Sequence, residues 1–359
     1  MSGSPGRRRR AVVLVGGPVA PYSRAIRIAR ALAAEGLDVE IAAVAAPGLP
    51  EREPVAASSA SVGDPAPSPG SIGTIEIRRY RPSGGWAILG ASEGETGAAK
   101  RGDRAPSVRR AMLRAATPLL AIRRWLFWPH AVRGWWATLA RELGPADVYH
   151  ACGVLAVAPA LRHRRHRPTG ATGGRARVIY DAIDDVGGSN ETMAMPAVIR
   201  RRITARERAW ARAADAVVTV NRALADRLAR RYERSDDILV VPNYPEHGAP
   251  TARLEEVVAA SPLRAAAGIA GDRRLILFQG RLGPGLGLEA AAEAVRSVPS
   301  ADLVLMGFGR GLAASRARDR APRFAGRHVT LPAVHPDELA AWTAGADVMI
   351  IPLLQTSPN

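Results

Sequence analysis

The residues best placed to do chemistry lie between positions 275 and 309. Leu275-Ile-Leu-Phe-Gln-Gly-Arg-Leu-Gly-Pro-Gly-Leu-Gly-Leu-Glu289 is a short apolar run that ends in a glycine-rich turn carrying Arg281. An alanine-rich helix follows, and a second apolar run ends in Leu305-Met-Gly-Phe-Gly309. Backbone N–H groups of such a loop, a helix N-terminus and one guanidinium together make an anion site that suits a diphosphate. Gly280, Arg281, Gly285, Gly287, Gly307 and Gly309 are its candidate residues. The spacing is not Gly-x-Gly-x-x-Gly after the first strand of the chain, so a dinucleotide oxidoreductase is not the first choice.

Positioning those residues requires alternating strands and helices. Ala11–Val15 reads as a buried parallel strand and Gly16–Ser23 as a Gly/Pro loop. Ala25, Ile28, Ala29 and Leu32 recur at helical spacing, Gly36 stops the helix, and Val39–Val44 is the next strand. Residues 46–72 are rich in Pro, Ala, Ser and Gly and read as a loop insert that buries nothing; a second Gly-rich insert covers 83–107. A short strand holds Ile75 and Ile77 between the two inserts. The pattern resumes with strand Asp147–His150, helix 154–164, a basic loop 162–177 and strand Val178–Asp181. An arginine-rich helix spans 197–213, and strand Ala216–Val220, helix 222–231 and strand Ile238–Val241 complete the first half.

Residues 244–262 read as an irregular connection between domains. Beyond the 275–309 unit come strand Val329–Leu331, helix Asp337–Ala344 and strand Val348–Ile351. The expected fold is therefore α/β: two Rossmann-like, doubly wound parallel sheets, residues 1–243 and 263–359, facing each other across a cleft. A domain that stops at Thr356-Ser357-Pro358-Asn359, directly after a strand, would leave an apolar sheet edge bare, so the second domain reads as incomplete.

Composition sets the remaining bounds. A length of 359 residues allows two domains, and the formal net charge is +17. The 50 basic residues include one lysine, Lys100, which leaves 49 arginines. With abundant alanine, glycine and proline, that bias fits a GC-rich coding sequence; an anionic partner is the other reading. No basic strand face carries interleaved aromatics, so nucleic acid is not the expected partner. Cys152 is the only cysteine, which excludes an intrachain disulfide and fits a cytoplasmic setting. The apolar run after Arg7–Arg10 ends at Gly16 after five residues, short of the ~7–15 of a signal core. No run approaches the ~18–20 residues of a membrane span.

Several pieces in order resemble glycosyltransferase family 4, which has the two-domain GT-B architecture. They are Tyr180-Asp-Ala-Ile-Asp-Asp185, the stretch Glu207–Asn221 with its Ala-Asp-Ala-Val-Val-Thr-Val, Val240-Val-Pro-Asn-Tyr-Pro245, Phe278-Gln-Gly-Arg281 with Gly285-Leu-Gly-Leu-Glu289, and Gly345-Ala-Asp-Val-Met-Ile-Ile-Pro352. The resemblance implies retaining transfer of a sugar from a nucleotide-diphosphate donor held on the C-terminal domain. The acceptor, a glycan, a lipid-linked molecule or a small molecule, would sit mostly on the N-terminal domain. It implies no metal and no cofactor, since basic side chains and a helix N-terminus neutralise the leaving diphosphate.

Arg281 matches the family's phosphate-binding arginine, while Leu286 stands where a second cation commonly lies. Gly307 and Gly309 match the turn where the backbone approaches the donor, a tight turn being their competing role. Val334 matches a segment bordering the donor base. On the acceptor side, Gly16 and Gly17 would let a loop come close, and Arg24 would meet an anionic acceptor or lie on the surface. His150 ends a strand where ligands collect, and Cys152 replaces a histidine usual beside the transferred sugar. Asp181 and Asp184 are acceptor-side polar groups or helix caps, and Ile183 replaces another histidine. The family's Glu-x7-Glu element, which contacts donor sugar and ribose, would fall beyond Asn359, so no catalytic residue is assigned. A catalytically impaired fragment, or a non-catalytic GT-B binding protein, is the alternative.

Four of the seven tryptophans, Trp125, Trp128, Trp135 and Trp136, lie beside Phe127, Arg123, Arg124 and Arg133. Val132, Trp135, Trp136, Leu139 and Leu143 share a helical face that would suit an anionic membrane surface, consistent with a lipid-linked acceptor and a peripheral location. Packing of that face on the N-terminal sheet is the competing arrangement.

Overall fold

The computed structural model describes residues 8–19, 23–55, 74–83, 133–193, 195–234, 237–244, 254–283, 286–309, 311–324, 326–334 and 338–353. The chain forms two compact units, Met1–Glu246 and His247–Thr356.

The first unit runs β1 (Arg10–Val15), α1 (Ser23–Ala34), β2 (Asp38–Val44), β3 (Arg52–Pro54), β4 (Ile75–Tyr80), α2 (Arg133–Glu142), β5 (Val148–Cys152), α3 (Val154–His166) and β6 (Arg177–Asp181). One turn of 3-10 helix (Val186–Gly188), α4 (Asn190–Met193), α5 (Ala197–Ala213), β7 (Ala216–Thr219), α6 (Arg222–Tyr232) and β8 (Leu239–Val240) complete it. The sheet order is β3-β4-β2-β1-β5-β6-β7-β8. Among the described strands β3 alone pairs antiparallel, with β4.

Ala11, Val12, Val13 and Leu14 are all fully buried, as a strand covered on both faces must be. Ala11 and Val13 pack under α1 with Ala25, Ala29 and Ala33. Val12 and Leu14 belong to the cluster on the other face, with Trp135, Ala156 and Val157 from α2 and α3 and, further along the sheet, Leu228 from α6. Small alanines on α1 let it lie close to the sheet, while larger side chains fill the opposite layer.

Three expectations change here. The 46–72 insert is not structureless throughout, because Arg52–Pro54 adds an edge strand to β4. Pro54 is compatible with that edge position, where one side of the ladder is unpaired. Glu53 pairs there with buried Arg79 at 2.6 Å. The described part of the tryptophan stretch faces inward: Trp135, Leu139 and Leu143 are buried, and Trp135 Nε1 donates to the Ala43 carbonyl at 3.0 Å. That face belongs to the core and is closed to a membrane; Trp125, Phe127, Trp128 and Val132 lie outside the described residues. Finally, the stretch expected to be irregular between domains contains a helix, α7 (Leu254–Ala259).

The second unit continues with α8 (Leu263–Ala267), β9 (Arg274–Arg281), α9 (Leu288–Arg296), β10 (Ala301–Phe308), α10 (Leu312–Asp319), β11 (His328–Pro332), α11 (Leu339–Thr343) and β12 (Val348–Met349). Its four strands are parallel in the order β11-β10-β9-β12. Leu303 and Leu305 pack with Leu288 and Val295 of α9, and Val304 and Met306 with Leu263 of α8 on the other face. On β12, at the sheet edge, Val348 and Met349 are exposed. Among the described residues, no helix is long and apolar enough to cross a membrane.

Candidate functional site

In each sheet, taken by itself, the strand order reverses at one point. In the second unit the chain winds from β9 through β10 to β11, then returns to add β12 on the other side of β9. The crevice at the carboxyl end of β9 is thus a topological switch point, where ligands bind in open α/β sheets. Arg281 ends β9 at that place. Its side chain is exposed and has no hydrogen-bond or ion-pair partner among the described residues.

The surrounding glycines divide into two kinds. A Cβ on Gly307 would lie 1.8 Å from the Gly280 carbonyl oxygen, and one on Gly287 would lie 2.0 Å from that of Pro352. Gly309, at φ 112°, would place its Cβ 2.7 Å from the Leu282 carbonyl. These three are required by close approach of the chain's own backbone, which is the tight-turn role at Gly307 and Gly309. Gly280 and Gly283 differ. Gly280 has only the Phe278 ring near its missing Cβ, at 3.8 Å, and Gly283 has nothing within 4 Å. Open backbone therefore lies beside Arg281. Gly285 is outside the described residues.

Two neighbours temper the positive field. Glu289 sits in the first turn of α9, and its carboxyl is held below the usual range by its own backbone N–H, with help from Arg318 at 2.9 Å. Leu286 packs into the apolar cluster with Phe278 and Leu288. Arg281 is consequently the cation that this edge offers from the described part of the loop. Val334 is half-buried against the α8–α11 cluster, beyond the end of β11.

In the first unit, β2 and β4 lie to one side of β1, and β5 to β8 lie to the other. The loops after β1 and β5 meet at this second switch point and enclose a cavity of about 310 Å³. Gly16, Gly17, Cys152, Gly153, Ile183 and Asp184 contribute to its lining. Gly17 and Gly153 are open at their Cβ positions, whereas a Cβ on Gly16 would lie 2.6 Å from Leu155 Cβ. Gly153 caps α3 at φ 79°, a conformation that favours glycine. Asp184 stands at the exposed rim, yet crowding by neighbouring atoms removes enough water to raise its carboxyl pKa.

Arg24 is not on the surface and is not free for an acceptor. It is buried, with Nε 2.8 Å from Asp181 Oδ2, Nη2 2.9 Å from Oδ1, and Nη1 3.0 Å from the Val241 carbonyl. Asp181 is fully buried; burial pushes its carboxyl up, but His150 and Arg24 outweigh this and hold it below the usual range. His150 Nε2 lies 3.5 Å from Asp181 Oδ2. His150, Cys152 and Asp181 thus bring an imidazole, a thiol and a carboxylate within 4.8 Å of one another. Both oxygens of Asp181 already accept from Arg24, so the trio reads first as an ion-paired network. Burial, then the Asp181 charge, push the Cys152 thiol far up, leaving a neutral, weakly nucleophilic sulfur on the cavity floor.

Helix capping falls to Asp185, a residue that sequence reasoning did not single out. Its Oδ1 accepts from Gly188 N at 3.0 Å, and Arg227 and Arg231 hold it from α6. Glu207, in one of the resembling pieces, is structural as well. Its buried Oε1 accepts from Tyr180 at 3.0 Å and Tyr232 at 2.7 Å, joining β6, α5 and α6.

No family model and no curated protein matches the chain. Solved structures do. Sucrose-phosphate synthase from Thermosynechococcus elongatus superposes with a TM-score of 0.56 at 16% identity, covering 96% of this chain and 76% of that one. HepE from Anabaena, in complex with UDP, gives 0.52 at 13%, covering 98% and 76%. The UDP-forming α,α-trehalose-phosphate synthase from Burkholderia xenovorans, in complex with glucose-6-phosphate, gives 0.52 at 13%, covering 94% and 78%. At such identities the likeness carries the fold: the chain has the α/β, GT-B-like architecture of these glycosyltransferases.

Proposed function

We propose that the protein is a glycosyltransferase that takes a sugar from a nucleotide-diphosphate donor bound at the carboxyl edge of the second sheet. The Arg281 guanidinium, without a partner among the described residues and beside open Gly280 and Gly283, carries this reading. As the bond from the anomeric carbon to the diphosphate oxygen breaks, negative charge builds on the leaving group. A bidentate cation at the leaving oxygens lowers the energy of that state more than that of the intact donor. The reading calls for no resident metal or cofactor, and the nucleotide sugar is a co-substrate. HepE has been solved with UDP-glucose and the trehalose-phosphate synthase with glucose-6-phosphate, which supports a hexosyl donor and a polar acceptor. Retention of anomeric configuration and a glycan or lipid-linked acceptor at the Gly17–Gly153 cavity belong to the same proposal, with family 4 as the assignment.

A non-catalytic nucleotide binder is the second reading, favoured by Leu286 in the apolar cluster and by the neutral Cys152 thiol. Thermal unfolding with UDP, GDP and ADP tests the first element of both. A nucleoside diphosphate at a hundred times its Kd is expected to stabilise the protein by about 2.7 kcal/mol, and Arg281→Ala to abolish most of the shift. If none of the three raises the melting temperature, the donor site is wrong. Turnover of the matching nucleotide sugar then separates enzyme from binder.

Leu286→Lys supplies a second cation five residues after Arg281. It is expected to tighten nucleoside diphosphate binding about tenfold while costing about 1–3 kcal/mol of stability through the lost apolar contacts. Calorimetric titration of the variant checks both signs, and unchanged or weaker binding would remove Leu286 from the site.

A further inference from the structure

The arginine-rich helix α5 carries an exposed patch that the donor and acceptor sites leave unused. Its buried stripe is Ile203, Glu207 and Ala211. At 3.6 residues per turn, Val198, Arg201, Arg202 and Ala205 face directly away from that stripe. Val198 is 74% exposed, and Met193, at the end of α4, is 46% exposed. Arg201 and Arg202 are exposed and Arg206 partly so. None of these three guanidinium groups has an ion-pair or hydrogen-bond partner among the described residues, whereas Arg208 and Arg212 further along α5 pair with Glu233.

The patch lies at the cavity end of the first unit. Thr204 of α5 packs against Gly187, with its Cγ2 2.9 Å from the position a Cβ would take, and the adjoining Val186 lines the cavity. Basic and apolar side chains interleave where the loops after the parallel strands open.

We infer that Met193, Val198, Arg201, Arg202 and Arg206 form a docking surface for a bilayer containing anionic phospholipids. The arginines meet lipid phosphates, and Val198 and Met193 enter the headgroup boundary. Charge complementarity alone would also admit a nucleic acid. The exposed apolar side chains favour the bilayer, and the patch has no aromatic ring on which a base could stack. This extends the lipid-acceptor reading above and moves its membrane contact from the buried face of α2 to α5. The test needs neither donor nor turnover, so the two can fail separately.

The full chain is co-sedimented with vesicles of phosphatidylcholine, with and without about one-third phosphatidylglycerol, at low and high salt. Binding is expected with the anionic vesicles only, and weaker in high salt. The double substitution Arg201→Glu/Arg202→Glu should weaken it at least about tenfold, with unchanged thermal unfolding. Val198→Ser should weaken it several-fold while leaving any retention on poly(U) unchanged. Arg162→Glu/Arg165→Glu, an equal charge change on exposed residues near the far end of α3, should leave it unaltered. The inference is overturned if the wild type does not sediment, if the α5 double variant binds as well as wild type, or if the α3 variant loses as much. Salt-sensitive poly(U) binding that needs Arg201 and Arg202, without vesicle binding, would assign the patch to nucleic acid instead.

Discussion

Asp181→Ala is expected to destabilise the first unit by about 3–5 kcal/mol, because it removes the carboxylate to which both Nε and Nη2 of the buried Arg24 guanidinium donate. Both partners are almost fully withdrawn from water, and two parallel N–H···O bonds join them. The pair itself need not be stabilising relative to apolar residues; breaking one side is what costs. Arg24→Met/Asp181→Leu should therefore recover most of the loss. Urea denaturation followed by tryptophan fluorescence measures both variants. A cost below about 1 kcal/mol for Asp181→Ala would mean that water reaches Arg24 and the site is open. The sign with pH follows from the depressed carboxyl: the contribution is present above the unfolded pKa, near 4, and is lost as pH falls through the lower folded value.

That ion pair also marks where the sequence stops being readable. Arg24 and Asp181 are 157 residues apart, and neither periodicity nor local spacing announces that the start of α1 lies over the end of β6. Elements set by local pattern were legible. The helix expected over 197–213 is Ala197–Ala213, and Ala11–Val15 gains one residue, Arg10. Burial on both faces makes central parallel strands read as continuous apolar runs, which is why β1, β6 and β10 stand out. Arg52–Pro54 was hidden because an edge strand of three polar or proline residues has no apolar period. Trp135 was ambiguous for a different reason. An apolar helical face looks the same whether it meets a sheet or a membrane, and only the tertiary contact decides.

The candidate site was legible as a location and less so as a set of roles. Glycine marks a place without a side chain, and sequence does not say what, if anything, fills the space. At Gly307 and Gly287 it is the chain's own carbonyl oxygens; at Gly280 and Gly283 the space is open. Of the six loop candidates, Arg281 and Gly280 thus stand in open space, joined by Gly283, which sequence reasoning did not single out. The same logic applies to Cys152. Its replacement of a histidine was legible, but the desolvation that makes the thiol inert depends on packing contributed by other parts of the fold.

Lowering the pH from about 7 to about 4 is expected to cost the first unit about 3 kcal/mol through His163 alone. The ring is buried at the end of α3, edge-on to Tyr149 with centroids 5.3 Å apart. Neither nitrogen has a hydrogen bond of normal geometry among the described residues, although the Gly144 backbone is close enough to favour the proton slightly. Burial, then the Arg167 charge, lower the imidazole pKa from 6.5 to about 4. The native state thus keeps His163 neutral while the unfolded chain takes up a proton. Stability from this source is complete above pH 6.5 and drains away as pH falls toward 4, before the Asp181 contribution begins to go. His163→Phe removes the titration and also two unpaired buried nitrogens, so at neutral pH it should be neutral or stabilising. Urea midpoints measured across this pH range should fall much less in the variant than in wild type. Parallel falls in the two proteins would show that the ring already reaches water and that the end of α3 is not closed.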